Sequence, residues 1–350
     1  MSSANADKTC AARALYYVAP GASEIRPAGL VSMNISANSN RVIVRTLWSG
    51  LSRGTEKLVF EGRVPESEFE RMRAPFQEGS FRYPVKYGYS VVGVIEEGPP
   101  DLIGRTVFTL HPHQTLFSVP HSAATPLPDR LPARRAILSA NMETALNAIW
   151  DSGAGPGDKI VIIGAGAVGL LVTSLAARLP GAEVLVCDID PAREPIVRSL
   201  GANFILPEAL GSAEADVVFH ASGTPSGLAT ALLSAGFEAR IVELSWYGSA
   251  EVPAPLGLAF HSKRLRLISS QVSAVSDSRR ARWTHARRLA KALSLLVDDR
   301  LDALITDEVA FDELPDALPK LLAPRSPSIA TAVRYADCIG ISVKRAPTAP

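Results

Sequence analysis

At 350 residues, 47% apolar and 20% charged, the chain is long enough for two domains and ordinary for a globular protein. Its 36 basic and 35 acidic residues balance, which excludes a field that gathers nucleic acid or an anionic membrane. Cys10, Cys187 and Cys338 are far apart and form no C-x-x-C pair, so a reducing, cytoplasmic setting is expected rather than a disulfide framework. The opening MSSANADKTCAARALYYVAPG has no apolar core and predicts no secretory leader.

In chain order, residues 1–147 carry short β-branched runs broken by Gly and Pro: RVIVRTLW (41–48), SVVGVIEE (90–97), RTVFTLHP (105–112) and TLFSVP (115–120). Strands so closely spaced predict a compact, largely antiparallel β unit. The charged stretch ESEFERMRAPFQEG (66–79) reads as a helical or looping insertion. Within KYGYS, Lys86, Tyr87 and Tyr89 cluster around Gly88. Phenol hydroxyls beside an ammonium group either donate protons or cap a core, and the stretch alone leaves both open. His111 and His113 are two residues apart, which on a strand puts both rings on one face. Such a pair can begin a metal site or a proton relay, although structural imidazoles are commoner.

From about residue 148 the pattern becomes strand–helix alternation. KIVII (159–163), EVLVCD (183–188), ADVVFH (215–220), ARIVEL (239–244) and RLRLISSQV (265–273) are apolar runs of the kind parallel strands covered on both faces require. The uncharged stretch 160–177 has about the length of a membrane span. Glycines at 164, 166 and 169 favour a strand, a tight turn and a helix instead. RRARWTHARRLAKALSLL (279–296) predicts one amphipathic helix with a solvated basic face, and 305–322 predicts a strand and a short helix.

Gly164, Gly166 and Gly169 complete G-x-G-x-x-G directly after a strand, the context in which that string binds a dinucleotide. The first permits the turn, the second lets the pyrophosphate approach, and the third lets the helix pack on its strand. The helix that begins at Ala167 and Val168 presents its N–H groups and positive dipole end to the phosphates. Asp188 ends the next strand, where a carboxylate suits a ribose 2′-hydroxyl and repels a 2′-phosphate, favouring NAD over NADP. Arg193, able to accept a phosphate, keeps NADP open. A capping role suits Asp190 better than Asp188, because Asp190 directly precedes Pro191.

A β-rich N-terminal unit, a central Rossmann unit and a returning C-terminal segment together resemble the medium-chain, zinc-type alcohol dehydrogenase/reductase superfamily over most of the chain. SGLSRGTE (49–56) resembles the segment with that family's first zinc ligand and proton-relay hydroxyl. GYSVVGVIEEG (88–98) resembles its G-H-E-x-x-G-x-V-x-x-x-G segment, and ANMETALNA (140–148) the segment with the third ligand and a nicotinamide-contacting threonine. S-x-G-T-E with G-Y for G-H is also similar to a branch that includes the hydroxyethyl-bacteriochlorophyllide dehydrogenases. Carried over, the first ligand falls on Ser52 or Arg53, Tyr89 replaces the histidine, Ser90 the glutamate after it, and Ala140 the third ligand. The four-cysteine structural lobe is absent from the sequence, and too few ligands remain, so no zinc is expected. The resemblance makes Thr55 the relay hydroxyl, Glu56 the acidic residue beside it, Thr144 the residue beneath the nicotinamide, and His220 a neighbour of the cofactor ribose.

Hydride transfer to a carbonyl builds negative charge on oxygen, which calls for a proton donor. Tyr89 or Tyr87 is the candidate, with Lys86 near enough in sequence to lower a phenol pKa; alternatively both rings fill the space of the metal. Trp246 and Tyr247 follow a strand end and either shape an apolar pocket or belong to the core. Asn141 and Glu143 are candidates for the same cleft, although a place near a helix N-terminus explains Glu143 equally well, and Ser222, in H-A-S-G, makes no hydrolase elbow.

The expected fold is α/β: a GroES-like β-rich catalytic domain (1–147), a Rossmann domain with a doubly wound parallel sheet (148–278), and a segment (279–350) returning to the first. The expected activity is an NAD(H)-dependent, metal-independent oxidoreductase for a small organic alcohol/carbonyl pair, with no nucleic-acid or membrane partner. The resemblance also implies a homodimer. A quinone or enone reductase and a non-catalytic dinucleotide-binding protein stay open as alternatives.

Overall fold

The computed structural model describes residues 9–32, 40–324 and 326–336. The chain opens with a hairpin that the sequence reading omitted, β1 (Thr9–Ala19) and β2 (Ala22–Ser32), turned at Gly21 with φ +75°. Its alanines have weak β propensity and hide the strand, yet Ala12, Ala14, Leu15 and Tyr17 are fully buried. β3 (Arg41–Leu51) leads into helix α1 (Arg53–Phe60), and the 66–79 insertion holds only a short 3₁₀ turn and β4 (Glu78–Gly79). β5 (Val85–Lys86), β6 (Val91–Glu97), β7 (Thr106–Thr109), β8 (Leu116–Pro120) and β9 (Thr125–Pro126) complete the first part.

Helix α2 (Ala133–Ala136) and the longer α3 (Ser139–Ser152) lead into β10 (Lys159–Ile163), α4 (Ala167–Ala176), β11 (Glu183–Cys187), α5 (Glu194–Ser199), β12 (Asn203–Ile205), α6 (Pro207–Leu210), β13 (Ala215–His220), α7 (Pro225–Ser234), β14 (Ala235–Glu243) and β15 (Arg266–Ser269). These strands form one parallel sheet in the order β12-β11-β10-β13-β14-β15, the doubly wound order of a Rossmann unit. No helix among the described residues is long and apolar enough to cross a membrane. The uncharged stretch 160–177 is instead β10, the glycine turn and α4.

The chain then returns. α8 (His285–Leu295) packs on α3, while β16 (Ile305–Ala310), α9 (Leu314–Leu321) and β17 (Ala330–Arg334) rejoin the first part, in a sheet ordered β16-β17-β3-β6-β7-β9 with β8 also on β3. Residues 337–350 of the expected returning segment lie outside the described residues. The helix expected from 279 begins only at His285, because Thr284 caps it by accepting from the Arg287 N–H at 3.1 Å. One cluster of buried side chains runs from Val92 and Phe108 through Met142 and Ala145 of α3 to Ile160 and Phe219. The β-rich part and the parallel sheet therefore share a core.

Candidate active site

The glycine turn meets each demand of its motif. Gly164 has φ +105°, and a Cβ there would lie 2.8 Å from the Ser222 nitrogen. A Cβ on Gly169 would meet the Gly164 carbonyl oxygen at 1.9 Å, so helix and strand pack as closely as backbone allows. Gly166 has nothing within 4 Å of where a Cβ would sit, leaving room for a phosphate. α4 carries no capping side chain, so the N–H groups of Ala167, Val168 and Gly169 remain for a ligand. Asp188 lies beside this turn, its Oδ2 accepting from the Ala165 N–H at 2.6 Å and its Oδ1 from the Asp190 N–H at 2.9 Å. Asp190 does cap the turn after it, as expected. Arg193 is committed to Asp190 and to the Pro327 carbonyl. Arg53, from α1, binds the Ala323, Pro324 and Ser328 carbonyls, and burial and then the nearby Arg193 lower its pKa. Arg53 thus faces the 323–328 segment, and Ser52 is the residue that meets Tyr89.

The Tyr89 hydroxyl donates to Ser52 Oγ at 2.5 Å and also hydrogen-bonds Thr55. Ser52 lines a small pocket whose other polar side chains are Asn141 and Thr331. Burial pushes the Tyr89 phenol up to about 12; its bonds with Ser52 and Thr55 oppose the rise and Glu56 adds to it. It therefore rests protonated at ordinary pH, with its proton directed at Ser52. The expectation that Lys86 lowers a phenol pKa fails. Lys86 is buried, and its ammonium binds Glu78 and, at 2.7 Å, Gln114 Oε1. Tyr87 is likewise raised well above its ordinary value, first by burial, and packs edge-on against Tyr89 with ring centroids 6.0 Å apart. It is a wall of the site.

Glu56, fully buried, anchors the site from behind. Its Oε1 accepts from the Ser52 N–H at 2.7 Å; its Oε2 accepts from the Tyr17 hydroxyl at 2.7 Å and binds His113 Nε2 at 3.0 Å. His113 Nδ1 lies 2.6 Å from Ser49 Oγ, which lies 3.0 Å from the Tyr335 hydroxyl. Sequence reasoning missed Tyr17, Ser49 and Tyr335 as members of this network, and paired His113 with the wrong partner. His111 and His113 lie in a loop, not on a strand, and diverge: His111 stacks on Phe117 with centroids 3.7 Å apart. Thr144, whose hydroxyl binds the Ala140 carbonyl at 3.1 Å, is one turn along α3 from Asn141. Glu143 turns away from the cleft to Arg288, 3.1 Å off, in a buried ion pair that ties α3 to α8. That arginine belongs to the interior rather than to the expected solvated face.

A second carboxylate–imidazole couple ends the parallel strands. His220 Nδ1 is 2.7 Å from Glu243 Oε2 and its Nε2 2.7 Å from Ser222 Oγ, while Glu243 also accepts from the Ser245 N–H and the Tyr247 hydroxyl. Burial alone would raise Glu243, but its bond with His220, the imidazole's charge and the Ser245 bonds hold it below the usual carboxylate range. Trp246 packs, partly buried, against the core of the β-rich part.

The zinc that this fold suggests does not suit these donors. Ser52, Tyr89 and Ala140 supply two hydroxyls and a methyl, and Glu56 is already held by the Ser52 N–H, Tyr17 and His113. Among the described residues no group of three His, Cys, Asp or Glu is placed to hold a metal ion.

No family model matches the chain. It is 29% identical over 221 residues to an uncharacterized zinc-type alcohol dehydrogenase-like protein of Haemophilus influenzae, covering 59% of this chain and 60% of that one. It is 28% identical over 175 residues to a 2-dehydro-3-deoxy-L-galactonate 5-dehydrogenase of Pseudoalteromonas atlantica, covering 47% and 50%. The chain thus spans half to three-fifths of these curated relatives. L-idonate 5-dehydrogenase of Escherichia coli superposes with a TM-score of 0.73 at 17% identity, covering 93% of this chain and 99% of that structure.

Proposed function

We infer that this chain, which belongs to the medium-chain dehydrogenase/reductase superfamily, is an NAD(H)-dependent oxidoreductase that interconverts an alcohol and a carbonyl without a metal. The observation that carries this reading is the Tyr89–Ser52 hydroxyl pair at the pocket shared with Asn141 and Thr331. Bound nicotinamide supplies or accepts the hydride. Gly164, Gly166 and the α4 N-terminus would hold its pyrophosphate, Asp188 its adenosine ribose and Thr144 the nicotinamide end. His220 would stand beside the cofactor ribose. Asp188 keeps lone pairs for the ribose hydroxyls beyond its two backbone bonds, which supports NAD over NADP. The chain's own chemistry is proton delivery. Tyr89 donates to Ser52, so the Ser52 proton is free to point into the pocket, toward an oxygen that gains charge as hydride arrives.

A cytoplasmic location and a homodimer paired through the free edge of β15 belong to the same reading. The test is NADH oxidation by chelator-treated protein against aldehydes, ketones, quinones and enones. Turnover of carbonyls with Tyr89→Phe reduced about a hundredfold supports it. Turnover of quinones or enones alone replaces it with an enone-reductase reading, and silence with NADH bound leaves a binding protein.

A further inference from the structure

Behind the donor pair a fully buried carboxylate meets an imidazole 1% exposed, Glu56 Oε2 lying 3.0 Å from His113 Nε2. With Glu56 ionised its oxygens can only accept, so Nε2 of His113 carries a proton. Nδ1 then has two possible states. It accepts from Ser49, which accepts from Tyr335, or it is itself protonated and donates to Ser49, which donates to Tyr335. Hydroxyls can rotate between these two patterns without moving a heavy atom, so the pocket tolerates either charge on the imidazole. The groups facing the couple are Tyr17 from β1, Tyr87 and Tyr89 from the KYGYS turn, Tyr335 after β17, and His111, which His113 disfavours as a cation; Glu56 acts through space on all four phenols.

Carbonyl reduction at this site makes a definite electrostatic demand. Bound reduced nicotinamide would supply the hydride for the new C–H bond as the C=O π bond breaks, and the oxygen would take a proton from Ser52, which is refilled from Tyr89, itself reprotonated from solvent before the next turnover. In between, the Tyr89 oxygen is left negative beside a buried carboxylate. We propose that His113 is the positioning residue that makes this transfer possible: as an imidazolium held between Glu56 and Ser49, it cancels the Glu56 charge so that negative charge can develop on Tyr89. Gly88 fits the same purpose. Its φ is +119°, and a Cβ there would lie 2.8 Å from His113 Cδ2, so the KYGYS turn needs glycine to admit the ring against Glu56.

This inference rests on the oxidoreductase reading and is tested by rescue. His113→Gln keeps an N–H toward Glu56 and an acceptor toward Ser49 but can carry no charge. In that variant kcat for carbonyl reduction should fall about tenfold or more, with KM for NADH unchanged, since one pKa unit of lost stabilisation is tenfold. Adding Glu56→Gln removes the bare carboxylate and should restore most of the lost kcat, which a merely structural role for His113 would not do. Near-UV circular dichroism checks that each variant is folded. Should His113→Gln unfold, Ser49→Ala, which removes only the Nδ1 partner, is read the same way, again with and without Glu56→Gln. An unchanged kcat in the single variant, or a double variant no faster than the single, overturns the role of His113 and leaves the oxidoreductase reading standing. A wild-type protein that reduces no carbonyl overturns both.

Discussion

The two glutamate–imidazole couples use the same chemistry at opposite depths. Glu243 and His220 face each other in register on adjacent parallel strands, and sheet pairing alone brings them together. Glu56 and His113 stand on a helix and a loop and meet only because β1, β3 and the β17 end close around them. The first couple lies at the carboxyl ends of the strands, where Rossmann units take their cofactor, and Glu243 keeps contact with water. The second is sealed. The same pair of side chains can therefore be a polar rim in one place and a fixed electrostatic element in the other.

The sharpest contrast is in stability. Glu56→Ala strips the acceptor from the Tyr17 hydroxyl, the Ser52 N–H and His113 at once and should cost about 3 kcal/mol or more in urea unfolding. An equal cost for Glu243→Ala would erase the distinction of depth. Next in size is activity: the hundredfold loss expected for Tyr89→Phe corresponds to about 2.7 kcal/mol of barrier, with the NADH dissociation constant unmoved. A shift in NADH affinity instead would move Tyr89 to the cofactor side of the comparison.

His111, buried without an acid and with its Nδ1 2.9 Å from the Pro112 carbonyl oxygen, shows what an imidazole with no counter-charge does here. Burial pushes it down to about 3, so the folded protein holds it neutral while the unfolded chain protonates it near 6.5. Its contribution is intact above pH 6.5, and stability should fall by about 1.4 kcal/mol per pH unit as pH drops from there toward 3. His111→Phe, which keeps the stack on Phe117, should flatten that slope in urea melts at pH 5 and 7. The smallest effect is expected at the rim: Glu243→Ala, partly open to water, should cost about 1 kcal/mol and weaken NADH binding severalfold, measured by fluorescence titration.

Legibility in the sequence follows the same division. The dinucleotide turn could be read because its constraints are local: a positive φ, an open face and a helix jammed on its own strand all fall within six residues. The parallel strands were legible as unbroken apolar runs. The proposed donor site was legible only at Tyr89, Thr55 and Glu56, and there through resemblance. Its remaining partners come from separations of 39 residues for Tyr17–Glu56, 57 for His113–Glu56 and 286 for Ser49–Tyr335, and no local pattern records such contacts. Lys86 misled for the complementary reason: its ammonium is taken by Glu78 and Gln114, while its sequence neighbour Tyr87 packs between Phe81 and Tyr89.

The placement of β17 has a consequence for how the molecule is made. Thr331 to Arg334 zip onto the Trp48–Leu51 end of β3 and lie between it and β16. A ribosome delivers β3 before the parallel strands and β17 after them, so throughout synthesis of the parallel sheet that end of β3 is an unpaired edge open to other chains. The Tyr335 hydroxyl arrives with the same strand. The donor site is thus completed only by the final closure of the β-rich part, and a nascent chain stalled before residue 330 carries its cofactor turn but not its proton network.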